Sequence, residues 1–544
     1  MKRFIITILL LAFAGLSFGA ENLPAIIPLP RKVVCKGKIA FTLTESTRIL
    51  LPRNDKVLRR TAEIFVQTIA REQNLMLKIR EKDSGEIRLT VDPQLAEEAY
   101  RLDITASGID IRGGSSAGVF YGLQSFRQLL AQYGTVLPAL QIEDAPSFGY
   151  RGAMLDCGRH FFTVDEIKTF IDLLALHKIN RFHWHLTEDQ GWRIEIRRYP
   201  ELTKIGSQRS ETVLGNNSPA YDGTPYGGYY TQDQLRDVVT YAAERFIVII
   251  PEIEMPGHAS AAIAAYPWLG STDEKIKVPC TFGVKNSAFN VADPRTRTFL
   301  KDVLDEVMEL FPSRIIHIGG DEVRQEQWNN SSEVRTFMKE KGINSAAELQ
   351  MWFTNHIASY LKSKGRIMMG WNDITGDKLH GYQSEVTIEA GNQLSEDAVV
   401  QFWTGNHDLL RKAAKRGYKI VNSYFKYTYL NFNHDRITPG LEYDFEPIPL
   451  EKAYAFNPIP EGLTMQEQKQ IIGIGCQMWG EWIPQVEDMY RMIYPYWAAH
   501  AETGWTDNKR KNYNRFVRSM DYFLTRWIDK NYINSHNIGI KQHQ

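Results

Sequence analysis

His317-Ile-Gly-Gly-Asp321-Glu322-Val323 is the stretch of this sequence that decides the predicted fold. An apolar run, residues 315–318, reaches two glycines and then two adjacent carboxylates. This pattern is typical of a buried parallel strand that ends at the rim of a sheet, where α/β barrels carry their catalytic residues. Successive side chains of a strand point to opposite faces, so both acids can reach one pocket only if the glycines bend the backbone. We therefore predict that Asp321 and Glu322 share a pocket and have different tasks in it.

Seven other apolar runs, together with this one, predict a (β/α)8 barrel. Helical patterns separate several of the runs, and capping pairs such as Thr163 with Glu166 and Thr231 with Gln234 mark where two helices begin. The connection between the fifth and sixth strands has the weakest helical pattern. The predicted strands are, in order, residues 151–157, 180–186, 246–255, 314–319, 366–371, 398–403, 418–424 and 471–479.

The chain of 544 residues is long enough for a large barrel and a companion domain. Residues 21–145 combine short β-like runs with two amphipathic helices, which predicts a small α+β domain. Proline and glycine within residues 144–149 mark a boundary. We therefore assign residues 146–508 to an α/β-class catalytic domain, a (β/α)8 TIM barrel, and residues 509–544 to a C-terminal helical tail.

The amino-terminal segment has the features of a secretory signal peptide. Lys2 and Arg3 precede an apolar run, residues 4–18, and small residues follow it. The run is short for a membrane span, and no comparable run follows in the sequence. We expect residues 1–20 to be removed and the mature protein to be exported, to the periplasm or outside the cell, without a membrane span.

Charge and cysteine content argue against several classes of partner and site. Lys plus Arg and Asp plus Glu both number 64, so the formal net charge is zero and nothing indicates nucleic acid or an anionic membrane surface. Neutral polymers are the more natural partners. The four cysteines match no metal or redox motif, and Cys157 and Cys476 lie in apolar runs typical of buried free thiols. We expect no disulfide framework, no metal and no cofactor.

Polar and aromatic side chains gather at the predicted strand ends, where a barrel places its active site. The second strand ends in a histidine-rich and acidic segment, residues 183–192, and the third in residues 252–258. The fifth, sixth and eighth strands end in tryptophan, and Glu481 follows the eighth. The first strand carries Arg151 and ends in Asp156, Arg159 and His160.

Motifs at these positions resemble those of the family 20 glycoside hydrolases, the β-N-acetylhexosaminidases. No single motif is specific, but together and in this order they are. The resemblance implies an exported exo-enzyme that hydrolyses terminal, non-reducing β-linked N-acetylglucosamine or N-acetylgalactosamine from oligosaccharides or glycoconjugates, with retention. The motifs are Arg151-Gly-Ala-Met-Leu-Asp156, His183-Trp-His-Leu with Asp189-Gln-Gly-Trp192, Pro251-Glu-Ile-Glu-Met-Pro-Gly-His258, His317-Ile-Gly-Gly-Asp-Glu322, Tyr429-Leu430 and Trp479-Gly-Glu481.

The resemblance also implies catalysis assisted by the substrate. In that family the sugar's own 2-acetamido oxygen attacks the anomeric carbon and forms an oxazolinium intermediate. Glu322 would protonate the leaving oxygen, and Asp321 would orient the acetamido N–H and balance the developing positive charge. A nearby anion raises the pKa of a neighbouring acid, so we expect Asp321 to stay ionised while Glu322 carries the proton.

Other roles follow from the resemblance one residue at a time. Asp189 and His258 would form a hydrogen-bonded pair that supports Glu322. Arg151 would bind hydroxyls of the terminal sugar, and the alternative for Arg151 is an ion pair at the domain boundary. The remaining side chains would contact the sugar: Trp371, Trp403 and Trp479 as walls of the acetamido pocket, with plain core packing as their alternative, Tyr429 as a donor to the acetamido oxygen, and Glu481 as an acceptor for outer hydroxyls.

Asn431 departs from the family pattern, which commonly has aspartate after Tyr-Leu. Asparagine offers one acceptor and two donors in place of a charged acceptor, so the preference at the sugar's 4- and 6-positions stays open. Three alternatives keep the same chemistry: action on 6-substituted N-acetylglucosamine, tolerance of the galacto epimer, and release of a disaccharide by a lacto-N-biosidase type of action. Two other classes remain: a metal-dependent barrel hydrolase, because His183 and His185 share one strand face, and a non-catalytic glycan-binding protein.

Overall fold

A computed structural model describes residues 23–81, 85–216, 218–272, 274–383, 393–432 and 446–529. The predicted signal peptide, residues 1–20, and the end of the predicted tail, residues 530–544, lie outside the described residues. Within the described ranges, no helix is both long and apolar enough to cross a membrane.

The N-terminal domain is a seven-stranded mixed sheet against which two helices pack. Its strand order is β1-β7-β5-β6-β4-β2-β3. Buried and exposed residues alternate along β4 and β5, as expected for strands with one face on a core. The predicted small α+β domain is therefore confirmed. Its elements are β1 (Lys32–Thr42), β2 (Arg48–Leu50), α1 (Lys56–Gln73), β3 (Lys78–Arg80), β4 (Ile87–Val91), β5 (Tyr100–Thr105), β6 (Gly108–Gly113), α2 (Ser116–Tyr133) and β7 (Val136–Asp144).

The strands that follow build a closed parallel barrel with the order β14-β15-β16-β17-β18-β19-β8-β9. Two short antiparallel pairs, β10 with β11 and β12 with β13, lie outside it. The strands are β8 (Tyr150–Asp156), β9 (Arg181–His185), β10 (Thr187–Glu188), β11 (Gly191–Trp192), β12 (Gln208–Arg209), β13 (Tyr226–Gly227), β14 (Val248–Glu252), β15 (Ile315–His317), β16 (Ile367–Trp371), β17 (Val399–Phe402), β18 (Lys419–Asn422) and β19 (Ile471–Met478).

Seven of the eight barrel strands lie within the runs predicted from the sequence, and β8 begins one residue before its run, so the predicted (β/α)8 architecture is confirmed. Every residue of β8 is buried, and seven of the eight residues of β19 are. Parallel barrel strands are covered by helices outside and by packed side chains inside, which explains their continuous apolar pattern.

Helices connect most of the barrel strands. Thr163 and Thr231 each form the predicted capping box, with Glu166 and Gln234 respectively. Between β16 and β17 the described residues form only a 3-10 turn, Asn372–Thr375, in agreement with the weak pattern there. The helices are α3 (Val164–Leu176), α4 (Glu201–Lys204), α5 (Gln232–Ala243), α6 (Ser260–Ala265), α7 (Pro294–Leu310), α8 (Glu326–Asn330), α9 (Ser332–Lys341), α10 (Ala346–Ser363), α11 (His407–Lys415), α12 (Phe425–Thr428), α13 (Leu450–Tyr454), α14 (Met465–Gln468), α15 (Val486–Ile493), α16 (Tyr496–Trp505) and α17 (Tyr513–Asp529).

Arg151 lies at the domain boundary, and the prediction that it binds sugar is wrong. Its side chain is 1% exposed and donates two hydrogen bonds to the carboxylate of Glu98, at 2.8 and 2.9 Å. Its guanidinium stacks on Trp505, 4.9 Å from the ring centroid. Arg151 is the second residue of β8, so about 16 Å of strand separates it from the catalytic end of the barrel. The alternative, an ion pair at the domain boundary, describes this residue correctly.

Candidate active site

The backbone turns sharply after β15 and carries both acids of the opening motif into the barrel mouth. Gly319, Gly320 and Glu322 have φ values of 65°, 85° and 52°. A Cβ on Gly319 would lie 1.8 Å from Oε2 of Glu254, so only glycine fits this position. Asp321 is buried and Glu322 is half-buried. The structure thus confirms that the glycines bring the adjacent acids into one pocket.

His258, at the end of the third barrel strand, contacts both acids. Its Nε2 lies 3.6 Å from Oε2 of Glu322 and 3.8 Å from Oδ2 of Asp321. Its Nδ1 lies 2.8 Å from Oε1 of Glu188 and 3.2 Å from Oδ2 of Asp189. Oδ1 of Asp189 accepts hydrogen bonds from the backbone N–H and the hydroxyl of Ser260, and the shorter contact of His258 is the one with Glu188. The structure places Asp189 and His258 together, as the sequence predicted.

Glu188 is a residue whose importance the sequence did not show. Its carboxylate lies 3.2 Å from Nε2 of His185 and 3.2 Å from a terminal nitrogen of Arg159, in addition to its contact with His258. His185 in turn lies 2.5 Å from Oε2 of Glu252 through its Nδ1. A continuous line of buried charged groups therefore runs from the barrel interior to the catalytic pair.

Arg159, rather than Arg151, is the arginine that lies among the acids and the aromatic rings of the pocket. Its side chain contacts Oδ2 of Asp156 at 3.0 Å and Oε1 of Glu481 at 3.7 Å, and it stacks on Trp479 at 5.0 Å. The sequence placed Arg159 at the barrel rim but gave it no role. Its position directly after the first strand could have indicated a role in the site, because active sites of α/β barrels lie at the carboxyl ends of strands.

Four aromatic rings form a row along the pocket. Trp371 and Trp479 have ring centroids 5.6 Å apart, Trp479 and Tyr429 are 6.0 Å apart, and Tyr429 and Trp403 are 6.1 Å apart with nearly parallel planes. Nε1 of Trp371 donates to Oε1 of Glu252 at 2.8 Å, which fixes the orientation of this ring. The structure brings together all four aromatic residues that the sequence predicted for the acetamido pocket.

Several buried polar atoms of the site have no hydrogen-bond partner among the described residues. They are Oδ1 of Asp321, Oδ1 of Asn431, Oε2 of Glu481 and Nε of Arg159. Buried polar groups in folded proteins are nearly always hydrogen-bonded, so unsatisfied atoms gathered in one pocket indicate a polar ligand. Acceptors and a guanidinium are suited to the hydroxyls and amide of a sugar.

Asp373 is a second acid that the sequence analysis missed. Its Oδ1 accepts a hydrogen bond from the backbone N–H of Glu322 at 3.2 Å and lies 3.0 Å from Nε2 of His380. Its Oδ2 accepts from Nε1 of Trp403 at 2.9 Å. Asp373 therefore joins the general-acid candidate to the aromatic row. It follows Trp371 by two residues, so a search beyond the strand end itself would have included it.

The direction of the pKa shift on Asp321 is opposite to the one expected. Burial raises the pKa of Asp321 well above its usual value, and the carboxylates of Asp373 and Glu322 add to the effect. A buried carboxylate beside other anions is costly, so the protein alone favours its protonated form. A positive charge developing on a substrate would favour the ionised form. Burial, the largest single influence, opposes charge on His258, but the carboxylates of Glu188, Asp189 and Glu322 together outweigh it and raise the pKa of His258 well above 6.5.

Among the described residues, four groups of His, Asp and Glu side chains have ligand atoms close enough to hold a metal, and His183, Glu252 and His317 form one of them, with these atoms within 4.8 Å of one another. All three are at most 2% exposed. Glu252 already accepts the hydrogen bond of Trp371 and contacts His185, so hydrogen bonding accounts for its position. A catalytic metal needs a coordination position open to substrate, which these buried side chains do not offer.

Comparisons with known proteins identify two family regions in the chain. Residues 148–508 match the model for glycosyl hydrolase family 20, catalytic domain, and residues 23–145 match that for glycosyl hydrolase family 20, domain 2. A β-hexosaminidase of Porphyromonas gingivalis is 36% identical over 94% of this chain and 64% of its own length. A β-hexosaminidase of Vibrio furnissii is 37% identical over 77% of this chain and 67% of its own length. This chain thus spans about two thirds of these relatives.

Solved structures agree with these matches. The exo-β-N-acetylglucosaminidase of Vibrio harveyi, in complex with N-acetylglucosamine, superposes with a TM-score of 0.82 at 31% identity over 94% of this chain and 78% of that one. A β-N-acetylhexosaminidase of Bacteroides fragilis gives a TM-score of 0.78 at 30% identity, over 93% and 95% of the two chains.

Proposed function

The chain belongs to glycosyl hydrolase family 20, and from this premise we propose that it removes terminal, non-reducing β-linked N-acetylglucosamine or N-acetylgalactosamine from glycans. The observation that carries the proposal is the turn that brings Asp321 and Glu322 into one pocket beside the aromatic row. Two acids on adjacent residues lie on the same side of a substrate, so neither is placed as a separate nucleophile. A sugar that brings its own nucleophile, the 2-acetamido group, removes this difficulty.

Glu322 is the proton donor in this proposal. It is the more exposed acid of the pair, with 26% of its side chain exposed against 10% for Asp321, and can therefore meet the leaving oxygen at the pocket mouth. His258 contacts it from inside and carries a positive charge. The cation stabilises the carboxylate that Glu322 becomes when it has given up its proton.

Asp321 and Tyr429 hold the acetamido group. Oδ1 of Asp321 has no partner among the described residues and accepts the amide N–H, while the Tyr429 hydroxyl donates to the acetamido oxygen. Burial raises the pKa of Tyr429 well above 10, so this hydroxyl keeps its proton. The rings of Trp479 and Trp403 enclose the methyl group and fix the oxygen for attack on the anomeric carbon.

Arg159, Glu481 and Asn431 bind the outer hydroxyls of the sugar. Arg159 contacts both Glu481 and Glu188. It therefore connects the residues that bind the outer hydroxyls to Glu188, which contacts His258. The side-chain oxygen of Asn431 has no hydrogen-bond partner within the described ranges, at a position where aspartate is common in the family. Because the acceptor is neutral, substrates with a modified 6-position and the galacto epimer stay within the proposal.

The decisive test is hydrolysis of p-nitrophenyl N-acetyl-β-glucosaminide. We expect Glu322→Gln and Asp321→Asn each to lower kcat/KM by at least about 100-fold. Glu326→Gln, an exposed neighbour on α8, is the matched control and should keep wild-type activity. Full activity of Glu322→Gln would refute the assignment. Activity should persist in EDTA, whereas its loss would favour the metal-dependent class.

Substrate assistance has its own test. A thiazoline mimic of the oxazolinium ion should bind much more tightly than the product sugar, because it resembles the intermediate. Equal affinity of the mimic and the product would argue for a different mechanism. The specificity left open by Asn431 is tested with gluco-, galacto- and 6-sulfo-N-acetyl substrates on the native chain and Asn431→Asp.

Export is part of the same proposal and rests on the apolar run of residues 4–18. Expression of the full chain followed by cell fractionation and amino-terminal sequencing should yield a shortened protein outside the cytoplasm. A full-length chain in the cytoplasm would refute export without touching the proposed activity.

A further inference from the structure

A row of planar side chains continues the aromatic wall past Glu322 towards solvent. His380 lies 5.8 Å from the Trp403 ring, and Tyr382 stacks on His380 with centroids 5.2 Å apart and planes 2° apart. The guanidinium of Arg324 lies 3.8 Å from the Tyr382 ring centroid. All three residues are half-buried, so the row reaches the surface beside the candidate proton donor.

Arg324 is a cation without an ion pair among the described residues. It lies two positions after Glu322, in a region whose other charged groups are mostly acids. The row is joined to the acids through His380, because Nε2 of His380 lies 3.0 Å from Oδ1 of Asp373, which also accepts the backbone N–H of Glu322. Stacking on Tyr382 holds the guanidinium plane, and a stacked guanidinium keeps its edge free for further hydrogen bonds.

The sugar on the far side of the scissile bond should leave the pocket towards this row of planar side chains. The terminal sugar fills the pocket between the aromatic rings and Arg159, so the rest of the glycan must extend past Glu322, which protonates the bridging oxygen. Arg324 follows Glu322 by two residues, and Tyr382 stacks on His380, which contacts Asp373 next to the Glu322 backbone. Arg324 and Tyr382 are therefore positioned to meet the sugar next to the scissile bond rather than the terminal one.

We propose that Arg324, held by Tyr382, binds an anionic group on the sugar that leaves, so that glycans with an acidic residue next to the terminal N-acetylhexosamine are preferred. A carboxylate or a sulfate fits, because planar guanidinium donors pair with either through charge-assisted hydrogen bonds. The proposal rests on the proposed function and adds the class of the leaving group to it.

The test compares two disaccharides that differ in one group: N-acetylglucosaminyl-β-1,4-glucuronic acid and its neutral counterpart, N-acetylglucosaminyl-β-1,4-glucose. The wild-type enzyme should have a kcat/KM about tenfold higher for the acidic one, the size of one charge-assisted contact at a half-exposed site. Arg324→Gln should remove this preference, and Arg324→Lys should keep part of it. The preference should also decrease at high ionic strength.

Arg335→Gln is the control, because Arg335 is an exposed arginine on α9, and this variant should keep the wild-type ratio. Equal kcat/KM for the two disaccharides in the wild type would overturn the proposal, as would a preference that survives Arg324→Gln. Hydrolysis of the neutral aryl glycoside is recorded in parallel. Its presence without the acidic preference refutes this inference alone, whereas its absence in the wild type refutes the proposed function and this inference with it.

Discussion

Arg151 and Arg159 belong to the same barrel strand and the segment directly after it, yet they have opposite surroundings. Arg151 uses all five of its N–H donors, with the carboxylate of Glu98, two backbone carbonyls and the Tyr121 hydroxyl as acceptors. Arg159 lies among three carboxylates and keeps an Nε without a hydrogen-bond partner among the described residues. Complete hydrogen bonding is typical of a structural residue, and incomplete hydrogen bonding inside a pocket is typical of a binding residue.

The two ends of the barrel differ in the same way. At the amino-terminal end of the strands, Lys178 and Asp144 are both fully buried and lie 3.3 Å apart, with Lys178 stacked on Trp505. At the carboxyl-terminal end, polar atoms of Asp321 and Glu481 have no hydrogen-bond partner in the part of the chain that the structure describes. One end joins two domains and contributes stability, while the other exposes groups that a substrate can satisfy.

The largest expected effect is on activity at the catalytic end. Arg159→Met should lower kcat/KM on the aryl glycoside about 1000-fold, since it removes a sugar contact that we estimate at about 4 kcal/mol and leaves buried carboxylates unpaired. Steady-state kinetics measure it, with circular dichroism to show that the variant folds. A loss of less than tenfold would mean that Arg159 only holds Glu188 and Glu481 in place.

The next effect is on stability at the boundary end. Arg151→Met should lower the free energy of unfolding of the barrel by about 3 kcal/mol, because the buried ion pair with Glu98 is broken. Urea denaturation measures this change. The folded fraction should hydrolyse the aryl glycoside at the wild-type rate. A loss of activity without a loss of stability would instead support the prediction that Arg151 binds sugar.

A smaller effect, on the pH dependence of stability, is expected at Glu188, which contacts both His258 and Arg159. The raised pKa of His258 adds stability that is complete below its unfolded value of 6.5 and is lost as pH rises through the folded value. The lowered pKa of Glu188 adds stability that is complete above 4.5 and is lost as pH falls through the folded value.

Glu188→Gln should therefore lower the melting temperature most between pH 4.5 and 6.5, by an amount equivalent to about 1–2 kcal/mol, and less at higher pH. Thermal unfolding of the two proteins from pH 4 to 9 tests this. The same comparison with Asp172→Asn, a partly exposed acid on α3, should show no such dependence on the charge of His258. A constant difference across the range would contradict the ion pair.

Much of the fold was predictable because its causes are local. The apolar runs predicted the eight strands, and the capping residues Thr163 and Thr231 predicted where two helices begin. Gly319 and Gly320 predicted the turn at the acids, since only glycine adopts such backbone angles freely. The burial of Cys157 and Cys476 also follows from the runs that contain them.

The errors at the site share a physical cause. Arg151 was misassigned because the resemblance gave it a sugar-binding role although it begins the predicted strand, at the end of the barrel away from the site. Glu188 and Asp373 were missed because their importance comes from partners distant in sequence: His258 for Glu188, and the Glu322 backbone and Trp403 for Asp373. The expectation that Asp321 stays ionised was based on one neighbour, Glu322. Burial, which depends on the tertiary structure, dominates the pKa of Asp321 and raises it.

By itself the sequence determined the barrel, the companion domain and the pair of adjacent acids, because periodicity, glycine and capping act over a few residues. The tertiary structure alone decided which arginine lies in the pocket, which carboxylates contact His258, and where Arg324 lies relative to Glu322. These relations join residues from different strands, and electrostatic energies depend on distance and burial in space rather than on separation along the chain.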